Sequence, residues 1–407
     1  REEKRLCVSF CVITQKKSCI PANMHESMWI HTPNQGYLKP KETLMNARRN
    51  FLKNAGALGG LMFCSCGMLD HAMAQTSSPR KFTTIKGKRV KTVDTHAHCY
   101  FQDAIDLMGK DAGSVLPPVK GVPDHFIVLE NRLKQMDELG IDMQVLSINP
   151  FWYGKDRETA EAICKINNEK FAELIALKPE RFSAFASLAM QFPDLAVQQL
   201  EFAVKKLGLS GAAIGGTVLG QDFSQAKFRP VLAKAEELGA TLFIHPQSTP
   251  QLAERFKGNG WLSNVIGNPL DTTIALEKLI FEGVFDKLPR LKILAAHGGG
   301  YLGSYAPRMD RGCFVSPQNC DPSIELRKKP TEYLRQIYFD SLVFTPEALR
   351  HLVAQVGASQ VMIGTDHPIP WVEDPVGHVM STSALSDADK KAILGQNAIR
   401  VLSLNPN

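Results

Sequence analysis

The stretch Val93-Asp94-Thr95-His96-Ala97-His98 closes the first apolar, β-branched run in the body of the chain and decides between two architectures. An open doubly wound sheet places a Gly-rich phosphate turn after its first strand. Here that place is held by Thr95-His96-Ala97-His98. Residues i and i+2 of an extended chain point the same way, so both imidazoles can reach one ion. In a closed barrel, strand ends converge on one face, and chemistry is built there.

Outward from this stretch, short apolar runs alternate with amphipathic helical ones. Strands are expected at 90–95, 143–148, 182–188, 212–215, 241–245, 292–297, 337–341 and 361–365. Helices are expected between them, at 157–175, 193–207, 226–238, 272–285, 346–356 and 386–402. Eight strands separated by helices predict an α/β fold over 89–407, a (β/α)8 TIM barrel.

His96 and His98 then end the first strand, His245 the fifth and His297 the sixth, while Asp366 closes the eighth. Three imidazoles and a carboxylate suit one Zn²⁺, with Mn²⁺ as the alternative, and leave a position for water or substrate. The fourth strand reads Gly211-Ala212-Ala213-Ile214-Gly215 and holds no lysine. His297 is assigned the general acid/base role, because a histidine near metal-activated water can take its proton. The following Gly298-Gly299-Gly300 offers close backbone approach and room for substrate. Asp94 is read as an orienter of the first strand and His367 as a group pointing away from the metal. Asp340 is open between a pocket and a structural role. His351 is read as an outer-helix residue and His125 as a loop residue.

Composition bounds the partners. Residues 1–91 hold 16 Lys/Arg against 5 Asp/Glu, and residues 92–407 hold 31 against 36, so the basic character belongs to the N-terminal segment. A mildly acidic body recommends no nucleic acid. Residues 1–44 lack apolar periodicity and are read as an over-extended or non-native segment. From Met45, Arg48-Arg49-Asn50-Phe51-Leu52-Lys53 resembles a twin-arginine export motif, and Ala72-Met73-Ala74 a signal-peptidase site. The apolar run 55–69 is short for a bilayer span, which needs roughly 20 residues. The expectation is a signal peptide over 45–74, a linker over 75–88, a periplasmic mature protein with no stable membrane span, and a cytoplasmic location as the alternative. Cys99, Cys164, Cys313 and Cys320 are read as free thiols, although the last two could pair in an oxidising compartment.

The motifs Phe243-Ile244-His245-Pro246, His297-Gly298-Gly299-Gly300 and Gly364-Thr365-Asp366-His367-Pro368 follow the paired histidines in order. With Pro269-Leu270-Asp271-Thr272-Thr273 and Gly283-Val284-Phe285-Asp286, they resemble the decarboxylases of the amidohydrolase superfamily over most of 92–404. The resemblance implies a metal-dependent-hydrolase-type barrel, often a homodimer, with one divalent metal. It also implies non-oxidative decarboxylation of an aromatic or muconate-type acid, a small-molecule carboxylic substrate. A hydrolase of a lactone or amide is the alternative, because both chemistries use a polarised oxygen. Residue by residue, the resemblance makes His96, His98, His245 and Asp366 ligands and His297 and Asp366 catalytic. Arg308 matches an arginine reaching a neighbouring subunit's substrate, and Asn264 stands where the family has a stacking tryptophan, with Trp261 close by. No arginine occupies the place near Val119 where the resemblance would put one, and Arg132 lies too far along, so the substrate pocket departs from the family's pattern.

Overall fold

A computed structural model describes residues 80–116, 119, 126 and 129–406. The expectations for residues 1–79 and for His125 lie outside the described residues.

Eleven strands are found among the described residues. A hairpin of β1 (Thr83–Ile85) and β2 (Lys88–Val90) precedes the barrel. The expected linker over 75–88 is therefore partly this hairpin. The Lys86-Gly87 pair between the strands takes positive φ (51° and 73°), a turn geometry that ties short strands together. The barrel proper uses β3 (Val93–His98), β4 (Met143–Ser147), β5 (Phe182–Ala184), β6 (Ala186–Ser187), β7 (Gly211–Ile214), β8 (Thr241–Ile244), β9 (Lys292–Ala295), β10 (Ile337–Asp340) and β11 (Val361–Met362). All their pairings are parallel. β5 and β6 are one barrel strand interrupted at Phe185: the first half pairs with β4, the second with β7.

The ring closes between the first and last strands. Thr95 donates its amide to the Ile363 carbonyl (2.9 Å) and Asp366 donates to the His96 carbonyl (2.8 Å). A parallel bridge pairs Ala97 with His367. Closure therefore brings Asp366 beside His96 across 270 residues of sequence. Three expected boundaries moved. The first strand starts at Val93 and includes both histidines, and the eighth is ladder-paired only at Val361–Met362. The expected helix over 386–402 is broken into Asp387–Lys391, a wider π turn over Ala392–Gln396, and Asn397–Leu402. Gly395 lets the π turn pack against the chain entering the barrel, since a Cβ there would lie 2.1 Å from the Lys91 carbonyl oxygen.

Helices start where the local chemistry caps them. Asp156 accepts from the Thr159 amide (3.0 Å) to open Arg157–Leu177, and Thr345 accepts from Ala348 (3.1 Å) to open Pro346–Val356. Inside the barrel Met143, Val145, Phe185, Ala213, Phe243 and Leu294 form a dry plug. Phe185 stacks on Phe243 at 5.4 Å, and Phe243 meets the His96 ring edge-on at 5.0 Å. Burying such a phenyl group is worth roughly 1.5–3 kcal/mol, and here it also gives the histidines a rigid floor. Among the described residues no helix is long and apolar enough to cross a membrane.

Cys99 and Cys164 are free and buried, as expected. Cys313 and Cys320 are not free: they form a disulfide across a separation of seven residues. The helix Leu302–Val315 ends at Ser316 and a short turn over Pro317–Asn319 folds back, bringing their Cα atoms to 5.8 Å.

Candidate metal centre

His96, His98, His245 and Asp366 are all buried, and one ligand atom from each lies within 4.8 Å of the others. The Nε2 atoms of His96 and His98 are 3.2 Å apart, as are those of His98 and His245. Asp366 Oδ1 lies 3.2, 2.8 and 3.9 Å from the three in turn. Ligand bonds of about 2.0–2.1 Å in a tetrahedral shell imply edges of about 3.4 Å, so these separations are those of a coordination polyhedron. Asp366 Oδ1 is buried and without a hydrogen-bond partner, an orphan that a cation would satisfy. The donor set therefore fits one divalent metal.

The protonation states agree for three of the four. Burial and the neighbouring His98 and His96 hold His245 well below the ordinary histidine range. Burial likewise lowers His98. For Asp366 burial acts to raise the carboxyl, but His96, His297 and His98 outweigh it and hold it well below its usual range. His96 differs. Burial disfavours its cation, yet Asp366 and Asp340 prevail and push it up to about 10. Binding a metal must then release that proton, as ligation requires.

Three of the four ligands are aimed by a partner, while His245 Nδ1 is buried with none among the described residues. Asp340, at the end of β10, accepts from His96 Nδ1 (2.7 Å) and from the backbone amides of His297 (2.9 Å), Gly298 (2.8 Å) and Leu342 (3.0 Å). That settles Asp340 as a carboxylate that fixes the His96 ring and seats His297. Ser147, ending β4, pairs with His98 Nδ1 at 3.0 Å. Trp371 Nε1 donates to Asp366 Oδ2 (2.8 Å), which frees Oδ1 for the ion. Asp94 orients as expected: it accepts from the His96 amide (3.1 Å), the Thr365 amide (3.1 Å) and hydroxyl (2.7 Å), and Gln144 (3.0 Å). Burial pushes its carboxyl up to about 6. His367 points away from the metal, held by Arg132 at 3.0 Å and Gln135 at 2.7 Å.

Sequence reasoning weighed Arg132 only as a substrate-binding arginine, too far along the chain to match, and its role here is a different one. It is buried, and its guanidinium donates to the His98 carbonyl and to Gln144 Oε1 (2.8 Å). A helix facing the barrel delivers it, which no spacing within the chain announces.

His297 stands outside the ligand set. Its Nε2 lies 3.8 Å from Asp366 Oδ2, its side chain is 14% exposed, and its ring is 5.2 Å from His96 and 5.4 Å from His245. His297 and Asp366 both adopt left-handed backbone (φ 56° and 59°). Such conformations cost on the order of 1–3 kcal/mol each and persist only where surrounding bonds impose them. Here Asp340 holds the His297 amide and the His96 carbonyl holds that of Asp366. The glycines after His297 serve packing rather than substrate room: a Cβ on Gly300 would sit 2.0 Å from the Pro269 carbonyl oxygen.

A cavity of ≈ 440 Å³ opens above the ligands. His98, His245 and Asp366 form its base, Phe126, Phe151, Trp261 and Ile369 give it flat apolar walls, and Asn149, Gln247, Asn264 and Asn268 a neutral polar edge. Trp261 and Asn264 both line this cavity. Trp261 also stacks on Trp371 (5.7 Å). Arg308 does not line this cavity in the single chain: it is exposed on the helix Leu302–Val315.

The Amidohydrolase family model matches residues 93–404. The chain belongs to the amidohydrolase family. Within the family its relatives are decarboxylases. It is 33% identical over 279 residues to 2-amino-3-carboxymuconate-6-semialdehyde decarboxylase of Dictyostelium discoideum, covering 68% of this chain and 77% of that protein. The crystal structure of 5-carboxyvanillate decarboxylase from Sphingomonas paucimobilis superposes with TM-score 0.71 at 25% identity, covering 78% of this chain and 100% of that one. A dihydroxybenzoic acid decarboxylase from Polaromonas sp. JS666, with bound manganese and the inhibitor 2-nitroresorcinol, superposes with TM-score 0.67 at 25% identity over 77% and 97%. This amidohydrolase is a metal-dependent carboxy-lyase.

The Asp340–His96 bond gives the family site a quantitative test. Asp340→Asn removes the charge that orients His96, and metal affinity should fall about 10–100-fold in chelator competition. An unchanged affinity would show that His96 needs no such partner.

Proposed function

We propose that this amidohydrolase removes CO₂ from a hydroxylated aromatic carboxylic acid, with His297 as the group that manages the replacing proton. The observation carrying this reading is the three-histidine, one-carboxylate centre beneath a cavity with aromatic walls and a neutral polar edge. His96, His98, His245 and Asp366 would hold the ion. Manganese is favoured over zinc by the Polaromonas neighbour, and the donor set suits either. When bound, the ion supplies Lewis-acid polarisation of the substrate's oxygens.

The chain's own residues do the rest. Phe151 and Trp261 give flat surfaces against which a ring can lie. Decarboxylation breaks the ring–carboxyl bond, and the ring carbon keeps the electron pair and needs a proton. His297 can carry that proton, with its Nε2 3.8 Å from the Asp366 carboxylate. Asp340 fixes the His297 backbone so that this proton is delivered to one place. The test is CO₂ trapping with phenolic and dienoic acids on metal-loaded enzyme. Release from hydroxybenzoates supports the reading, whereas lactone opening without CO₂ would assign the site to hydrolysis.

A homodimer suits the helix Leu302–Val315. Tyr301, Tyr305, Arg308 and Val315 recur at helical spacing on one face, and Tyr305 and Val315 are each 72% exposed. An apolar stripe carrying one arginine suits a second copy, whose substrate Arg308 would reach.

Export to the periplasm is favoured by the Cys313–Cys320 disulfide, because such bonds persist in oxidising compartments. Changing Arg48 and Arg49 to lysine should retain the enzyme in the cytoplasm on fractionation. An unaltered periplasmic share would refute twin-arginine routing.

A further inference from the structure

Apart from the metal ligands, one buried polar atom of the cavity has no partner among the described residues. Asn149 follows β4 by two residues, so it stands on the same face as the metal ligands, and it lines the cavity with His98, His245 and Asp366. Its Oδ1 is buried and, among the described residues, accepts no hydrogen bond. Its surroundings are pinned. The Phe151 amide donates to the Asn149 carbonyl (2.7 Å), and Gln247 Nε2 donates to the carbonyl of Pro150 (3.1 Å). Gln247 is itself seated by Asp271, which accepts from its amide at 3.1 Å. The neighbouring amide is thus committed to the protein, while that of Asn149 is not.

A buried acceptor left unpaired is costly, and the cost is relieved only by a partner that donates. A phenolic hydroxyl donates; a carboxylate or an ether does not. Resting on the decarboxylase reading above, we propose that Asn149 is a specificity residue, whose carboxamide reads a second ring hydroxyl on the substrate. It would select polyhydroxylated acids over those with a hydrogen at that place, where the carboxamide would stay unpaired. A site built to bond a hydroxyl discriminates strongly against the analogue lacking it, because its own buried group is then stranded.

The test uses ligands that cannot be decarboxylated, so that it does not depend on turnover. Metal-loaded full chain is titrated with 2-nitroresorcinol and with 2-nitrophenol, which differ by one hydroxyl. Wild type should prefer 2-nitroresorcinol about ten- to hundredfold. Asn149→Leu should abolish that preference while metal content and 2-nitrophenol affinity stay at wild-type levels. Asn149→Ser, a smaller change, serves if the leucine variant does not fold and should weaken the preference at least about threefold, since its shorter hydroxyl cannot reach as far. A wild type without preference, or variants that keep it in full, would overturn the assignment. CO₂ release from 2,6-dihydroxybenzoate is measured alongside. Its absence with the binding preference intact would count against the decarboxylase reading alone, leaving the role of Asn149 in ligand selection standing.

Discussion

Replacing His297 by alanine should leave the metal in place and lower decarboxylation by about 10²–10⁴-fold, the range that general acid–base groups contribute. The two effects separate because of geometry. His297 is not one of the four residues whose ligand atoms converge. Its nearest link to them is the 3.8 Å approach to Asp366 Oδ2, the oxygen that Trp371 occupies rather than the one facing the ion. Removing the imidazole therefore takes away a proton carrier without opening the coordination shell. The measurement is metal stoichiometry and CO₂ release on the same sample. Loss of metal with loss of activity would make His297 a ligand, and full activity with metal bound would remove it from the chemistry.

Replacing His98 by alanine should empty the site. Its Nε2 is the vertex nearest the others, 3.2 Å from His96, 3.2 Å from His245 and 2.8 Å from Asp366 Oδ1. Its loss leaves two imidazoles flanking a gap, and the Ser147 hydroxyl that had held it keeps only its bond to the Ala97 carbonyl. Even the partners of ligating histidines are worth about 10–100-fold in affinity, so loss of a ligand itself should exceed about a hundredfold. Dialysed protein should carry no stoichiometric metal, and added metal should no longer raise its Tm, because an ion that does not bind the folded state cannot stabilise it. Retention of one ion per chain would show that three donors suffice.

The ligands were legible because of where they stand. A histidine or aspartate at the carboxyl end of a barrel strand faces the active end whatever the rest of the chain does. His96, His98, His245 and Asp366 each announced themselves by following an apolar run. The same placement separated His297, although its three glycines were misread: they accommodate Phe339, Val343 and Pro269 rather than substrate. The cysteine pair stood only as the alternative to free thiols, for a different reason. Only the turn at Pro317–Asn319 folds Cys320 back to Cys313, and spacing says nothing about that reversal.

Sequence alone thus determined the barrel, its strand order and the residues around the ion, since alternating apolar runs and strand-end chemistry are local properties of the chain. Tertiary structure alone decided what aims those residues. Asp340 reaches His96, Ser147 reaches His98, Arg132 reaches the His98 carbonyl, and Trp371 turns Asp366. Most of these pairs join residues far apart in the chain, brought together where strands and helices meet at the closed end of the barrel. A hydrogen bond requires atoms within about 3 Å, and the closing of the ring, not any spacing along the sequence, sets which atoms those are.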